Sequence, residues 1–163
     1  TGFAGALQKG IGSGDIVLDS GRSDSRLIGR VADACDKIGI PCHRGTFWSS
    51  KTILGKSEEK AETGERTGAI AVEMESQAIS RICRERGIPF CSFRAVSDTI
   101  DQELPETVPA VNSNGTPTLN FWGRFFSHPG QWADFVRLAR SSGKAEKNLT
   151  KVLINFIEGI VPQ

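Results

Sequence analysis

Val72-Glu73-Met74-Glu75-Ser76 is followed, after helical spacing over residues 76–86, by Phe93-Arg94-Ala95-Val96-Ser97-Asp98. Each carboxylate-bearing segment is led in by a short apolar run, Ala69-Ile70-Ala71-Val72 and Phe90-Cys91-Ser92-Phe93. The succession reads as strand, helix, strand. In such α/β units ligands gather at the carboxyl ends of the strands. Glu75 and Asp98 are therefore expected at the mouth of a ligand-binding crevice.

The same alternation runs outward from this centre. Residues 15–18 read as a short strand, 24–38 as an amphipathic helix, and 41–48 as a second strand introduced by Gly39 and Pro41. Residues 56–66 are densely charged and read as a solvated helix or loop. Beyond Asp98, residues 101–117 hold three prolines and Asn112-Ser113-Asn114-Gly115, a long loop expected to border the site. Helices follow, with apolar stripes at Trp132, Phe135, Val136 and Ala139, then at Leu149, Val152, Leu153, Phe156 and Ile157. The expected fold is α/β, a three-layer sandwich whose twisted, mostly parallel or mixed sheet is flanked by helices.

A chain of 163 residues with 38% hydrophobic content can build one sizeable core, so residues 1–163 read as a single domain. Net charge is +1, with basic residues scattered among acidic ones, which argues against a nucleic-acid partner. No apolar stretch approaches the length of a membrane span, and the first residues lack the pattern of a secretory signal. The expected setting is the cytoplasm and the expected partner a small molecule. Cys35, Cys42, Cys83 and Cys91 lack zinc-site pairing, and His43 and His128 are isolated, so no metal is expected.

The wording of AVEMES (residues 71–76) and FRAVSD (residues 93–98), together with Thr1-Gly2-Phe3-Ala4-Gly5-Ala6-Leu7 and Gly14-Asp15-Ile16-Val17, resembles the purine nucleoside phosphorylase and nucleosidase superfamily. The resemblance covers roughly residues 1–100. Within it, AVEMES and RAVSD are similar to 5′-methylthioadenosine/S-adenosylhomocysteine nucleosidases. The carboxyl-terminal stretch with His128-Pro129-Gly130 is similar to hopanoid-associated phosphorylase-like proteins. The first motif looks like the family's small-residue turn, over residues 2–5, and the chain opens directly on it. An amino-terminally truncated member is expected, with the group that activates water, or the arginines that hold phosphate, upstream of Thr1.

The resemblance implies cleavage of the N-glycosidic bond of a purine nucleoside. The sugar then develops oxocarbenium character, and the departing base needs a proton. It assigns Asp98 as the acid facing the purine N7 and Ser97 as the hydroxyl that orients it. Glu75 accepts from the ribose 2′ and 3′ hydroxyls, Met74 lies against the ribose, Glu73 supports them, and Phe47 stacks on the base. Phe3 and Ala4, in the small-residue motif, border the ligand.

Blander readings exist for each motif. Glu73 and Glu75 also suit a strand end entering a helix, whose first turn favours acids. Ser97-Asp98 also suits a cap or turn. Phe47 also suits the core.

Phe3 stands where phosphorylases of the family carry a serine for phosphate, so hydrolysis is favoured over phosphorolysis. No cofactor is expected, and phosphate enters only as a co-substrate if the chain is a phosphorylase. A third possibility is a non-catalytic remnant that binds a nucleoside. An incomplete sheet would leave an edge to cover, so a homo-oligomer is expected.

Overall fold

The computed structural model describes residues 1–104 and 132–159. Among them, six strands form one mixed sheet: β1 (Gly2–Ala6), β2 (Ile16–Asp19), β3 (Cys42–Gly45), β4 (Phe47–Ser49), β5 (Ala71–Glu73) and β6 (Phe93–Asp98). Their order is β3-β2-β6-β1-β5-β4. The pairs β1 with β6, β2 with β3 and β4 with β5 are parallel, whereas β1 with β5 and β2 with β6 are antiparallel. Helices α1 (Ser25–Ile38), α2 (Ser57–Thr67), α3 (Ser76–Glu85) and α4 (Trp132–Glu158) complete the elements.

Alternation along the central strands buries both faces of the sheet. Ile16, Leu18, Phe93 and Ala95 face α1 and α4, meeting Val31, Cys35, Ala145 and Val152. Phe93 and Phe156 pack edge to face with centroids 5.6 Å apart, which pins α4 to β6. Val17, Val96, Ala4 and Ala6 point the other way, into a second cluster.

The start of α1 shows why this segment is helical where it is. Asp24, in extended conformation, accepts from the Arg26 backbone N–H, and Gly39 closes the helix in a left-handed conformation.

Several expectations need correction. Residues 2–5 form strand rather than turn, because the two neighbours β5 and β6 claim their backbone groups. The expected single strand over 41–48 is two strands, β3 and β4, on opposite edges of the sheet. The strand expected over residues 90–93 starts at Phe93 and runs to Asp98. The strand, helix, strand succession does not make a parallel neighbouring pair, since β1 lies between β5 and β6 and β5 runs opposite to both.

The charged stretch is helix α2, and it is not solvated all round. Lys60, Thr63 and Gly64 are buried. A stripe at i, i+3 and i+4 that holds no apolar residue escapes a hydropathy reading.

Toward the carboxyl end α4 is one continuous helix. Leu149, Val152, Leu153 and Phe156 pack as expected, whereas Ile157 is exposed. Val136 is also exposed, so the second apolar stripe does not serve as core there. The loop expected over 101–117 lies outside the described residues beyond Leu104, as do the side chains of Trp132 and Phe135.

Candidate active site

Register between β1 and β6 shifts at the site. Ala4 pairs with Val96 but Gly5 pairs with Asp98, so Ser97 is an extra residue in β6. Neighbouring strand residues ordinarily face opposite sides of a sheet. A bulge re-aims one of them, and here both Ser97 and Asp98 line one cavity of about 250 Å³. A Cβ on Gly5 would lie 2.9 Å from Asp98 Oδ2, so the bare backbone of β1 makes room for the carboxylate.

The same cavity takes Phe3 and Ala4 from β1, and Glu73, Met74 and Glu75 from the end of β5. Ser97 Oγ donates to Asp98 Oδ1 at 2.7 Å and lies 3.4 Å from the Ala4 carbonyl oxygen. Met74, just past the end of β5, is half-exposed, whereas Glu73 is buried.

Glu73 and Glu75 occupy different environments. Glu73 Oε2 accepts from the backbone N–H of Glu75 at 2.7 Å and of Ser76 at 2.6 Å, which satisfies the open amides at the start of α3. Ser49 donates to its other oxygen. Burial works to raise the Glu73 carboxyl, but the Ser49 hydroxyl and those two amides outweigh it and hold it below its ordinary value. Glu73 is thus the buried anchor of the turn.

Glu75 is exposed, with one contact to Arg94 Nη2 at 2.7 Å. Glu75 also lines the cavity, and its carboxylate has acceptor capacity beyond that contact.

No sequence pattern marks Arg94, yet it binds the site together. Its Nη2 reaches Glu73 at 3.0 Å, Glu75 at 2.7 Å and Ser76 Oγ at 3.3 Å, and its Nη1 donates to the Phe3 carbonyl at 3.1 Å. Behind it, Arg22 connects Asp19 at 3.1 Å, the Ser49 hydroxyl at 2.9 Å and the Phe47 carbonyl. The short turn after β2, whose Arg22 lacks any sequence signal, therefore ties β2 to β4.

Lys60 likewise carries no sequence signal. Its ammonium lies 2.5 Å from Asp98 Oδ2 with no exposed side-chain surface. Thr52, Ile53, Leu54 and Leu104 close the remaining wall of the cavity, and none of them carries a pattern that marks a site.

Phe47 is not brought to this cavity. It is 4% exposed, packs against Val17, Ala71 and Val96, and does not line the cavity. Its strand turns the ring inward, whereas Trp48 is partly exposed and stacks under Arg66 at 5.4 Å. Among the described residues no group of three or more His, Cys, Asp or Glu could hold a metal, and no helix is long and apolar enough to cross a membrane.

The family model described as the phosphorylase superfamily matches residues 19–116. A 5′-methylthioadenosine/S-adenosylhomocysteine nucleosidase of Staphylococcus saprophyticus is 29% identical, the match covering 68% of this chain and 60% of that protein. One of an Exiguobacterium species is 25% identical, covering 63% and 56%. The chain thus spans under two thirds of the length of these curated relatives.

Among solved structures, the nucleosidase of that name from Neisseria meningitidis, in complex with methylthio-immucillin-A, aligns with a TM-score of 0.69 at 23% identity, covering 98% of this chain and 68% of that one. The futalosine hydrolase of Helicobacter pylori aligns at 0.62 with 17% identity, covering 94% and 65%. These structural likenesses show the shared fold.

Proposed function

The chain belongs to the phosphorylase superfamily, and from that premise we propose that it cleaves the N-glycosidic bond of a purine nucleoside of the methylthioadenosine or S-adenosylhomocysteine type, with water as acceptor. The observation that carries the reading is the convergence of Glu75, Ser97 and Asp98 on one small cavity, from strands that are not neighbours. Both curated relatives are nucleosidases of this type.

In this reading the C1′–N9 bond breaks with its electron pair passing to the base, and Asp98 gives its proton to the base nitrogen. Water adds to C1′ and returns a proton to Asp98. Glu75 accepts from the ribose hydroxyls, and that contact strengthens as C1′ becomes positive. Phe3 and Met74 supply apolar surface beside the sugar. Phe3, in place of a phosphate-binding serine, favours water over phosphate. The reading extends to a homo-oligomer, checked by light scattering.

The test is release of free adenine from methylthioadenosine, S-adenosylhomocysteine and adenosine, with and without phosphate, by the chain and its Asp98→Asn variant. Phosphate-independent release that is lost in the variant supports the reading. Strict phosphate dependence supports phosphorolysis instead. No release from folded protein supports a binding remnant.

A further inference from the structure

Lys60 is the largest side chain with no exposure in the described residues, and the proposed glycosidase roles do not use it. It reaches from α2 to the end of β6, and each of its three N–H groups has an acceptor. Asp98 Oδ2 lies at 2.5 Å, the Gln102 carbonyl at 2.8 Å and the Thr99 carbonyl at 3.1 Å. A buried ammonium is costly unless its hydrogens are matched. An enclosure with three acceptors is therefore built for the charged form. Lys60 does not line the cavity, so whatever it does for a ligand it does through Asp98.

An ammonium donates and cannot accept. Asp98 Oδ2, already taken by Lys60, is therefore a poor seat for a proton. Oδ1 is different. Its partner Ser97 is a hydroxyl, which can donate or accept, and which has a second acceptor in the Ala4 carbonyl at 3.4 Å. Ser97 can turn toward Ala4 when Oδ1 carries hydrogen and back when it does not.

We infer that Lys60 is a positioning residue that seats the transferable proton of Asp98 on Oδ1 and faces the carboxylate that remains once the proton has gone. The inference rests on the glycosidase reading. Its balance is that of the proposed reaction: the Oδ1 proton goes to the base, the C1′–N9 electron pair goes with the base, and a proton from the attacking water returns to Oδ1. Lys60 keeps its own three protons throughout. Its contribution falls in the step where the base departs, because only then does Asp98 acquire its full negative charge beside the ammonium.

That timing separates the role from a structural one. A purine needs a proton to leave, whereas nitrophenolate, from 4-nitrophenyl β-ribofuranoside, leaves without one. Lys60→Met is expected to lower kcat on methylthioadenosine about 100-fold, with KM changed far less, while turnover of the nitrophenyl riboside falls by under about threefold. Equal losses on both substrates, or no loss on either, would overturn the assignment.

Lys60→Met strands the Asp98 carboxylate in a buried place and can fail to fold. The Lys60→Met/Asp98→Asn double variant is neutral at both positions and carries the same test. If Lys60 acts only through Asp98, the double variant turns over the nitrophenyl riboside, which needs no proton from Asp98, as Asp98→Asn does, within about threefold. A further loss well beyond that would overturn the inference. A wild-type chain inert toward both substrates overturns the glycosidase reading itself, and the assignment with it. An active wild-type chain confines any failure to Lys60.

Discussion

Glu73 meets Arg94 as a buried ion pair, Oε2 to Nη2 at 3.0 Å, with 0% and 6% of the two side chains exposed. The same Nη2 holds Glu75 at 2.7 Å, although 61% of that side chain is exposed. One guanidinium nitrogen thus joins a carboxylate that builds the turn to a carboxylate that can meet a ligand. Glu73 and Glu75 thus hold one guanidinium from a buried and an exposed position.

Their substitutions should therefore separate. Glu73→Ala leaves buried Arg94 with only the exposed Glu75 as a carboxylate partner and frees the first amides of α3, an expected loss of about 3 kcal/mol. Glu75→Ala breaks a largely solvated pair and should cost under about 1 kcal/mol. Urea unfolding measures both. Turnover should fall roughly 10- to 100-fold in Glu75→Ala, in step with a charged hydrogen bond lost to ribose.

Acid stability follows from Glu73. Its folded value is held below the ordinary 4.5, so the unfolded chain binds its proton more readily than the folded one. That contribution is present above about 4.5 and is lost as pH falls through the folded value. Asp19 has the opposite sign, since burial raises its carboxyl despite the Arg22 guanidinium and the Gly21 amide. Folding then favours its protonated form, and its contribution is lost as pH rises. In thermal melts from neutral to acid pH, Glu73→Gln should flatten the loss of stability toward acid and Asp19→Asn should steepen it.

Gly64 sets how closely α2 approaches the sheet. A Cβ there would lie 2.2 Å from the Leu7 carbonyl oxygen, a backbone atom that cannot turn aside. Gly64→Ala should cost about 1–3 kcal/mol despite the better helix propensity of alanine, read as a shift in the unfolding midpoint. Because Lys60 is one turn away on the same face, turnover should fall as well.

Thiol reactivity should follow the Cys35 and Cys42 pair. The Cys35 thiol donates to Cys42, which holds the Cys42 thiol below its ordinary value and pushes that of Cys35 far up. Burial also raises Cys91. Iodoacetamide labelling read by peptide mass mapping should modify Cys42 before Cys35 and Cys91. Faster labelling of Cys35 would contradict the direction of that hydrogen bond.

Local pattern carried much of this protein. The Asp24 cap, the helix it starts and the Gly39 that ends it are written in consecutive residues, because capping is a local matter. So are β2, α3 and the packing stripe of α4. The wording of residues 71–76 and 93–98 marked Glu75, Ser97 and Asp98, and the fold brings them to one cavity.

What the chain did not disclose locally is strand partnership. A short apolar run states that it will be a strand but not which neighbour will satisfy its hydrogen bonds. Hence the splitting of β3 from β4 to opposite edges, and the insertion of β1 between β5 and β6, appeared only in the sheet. The bulge at Ser97 exists only relative to β1.

Lys60, Arg94 and Arg22 read as ordinary surface charges in sequence. Each is defined by partners distant along the chain, with Lys60 and Asp98 separated by 38 positions. A charge is tolerable inside a protein only when such partners surround it. Residue types decided the elements and the chemistry on offer, and tertiary packing decided which charges are enclosed and made to act on one another.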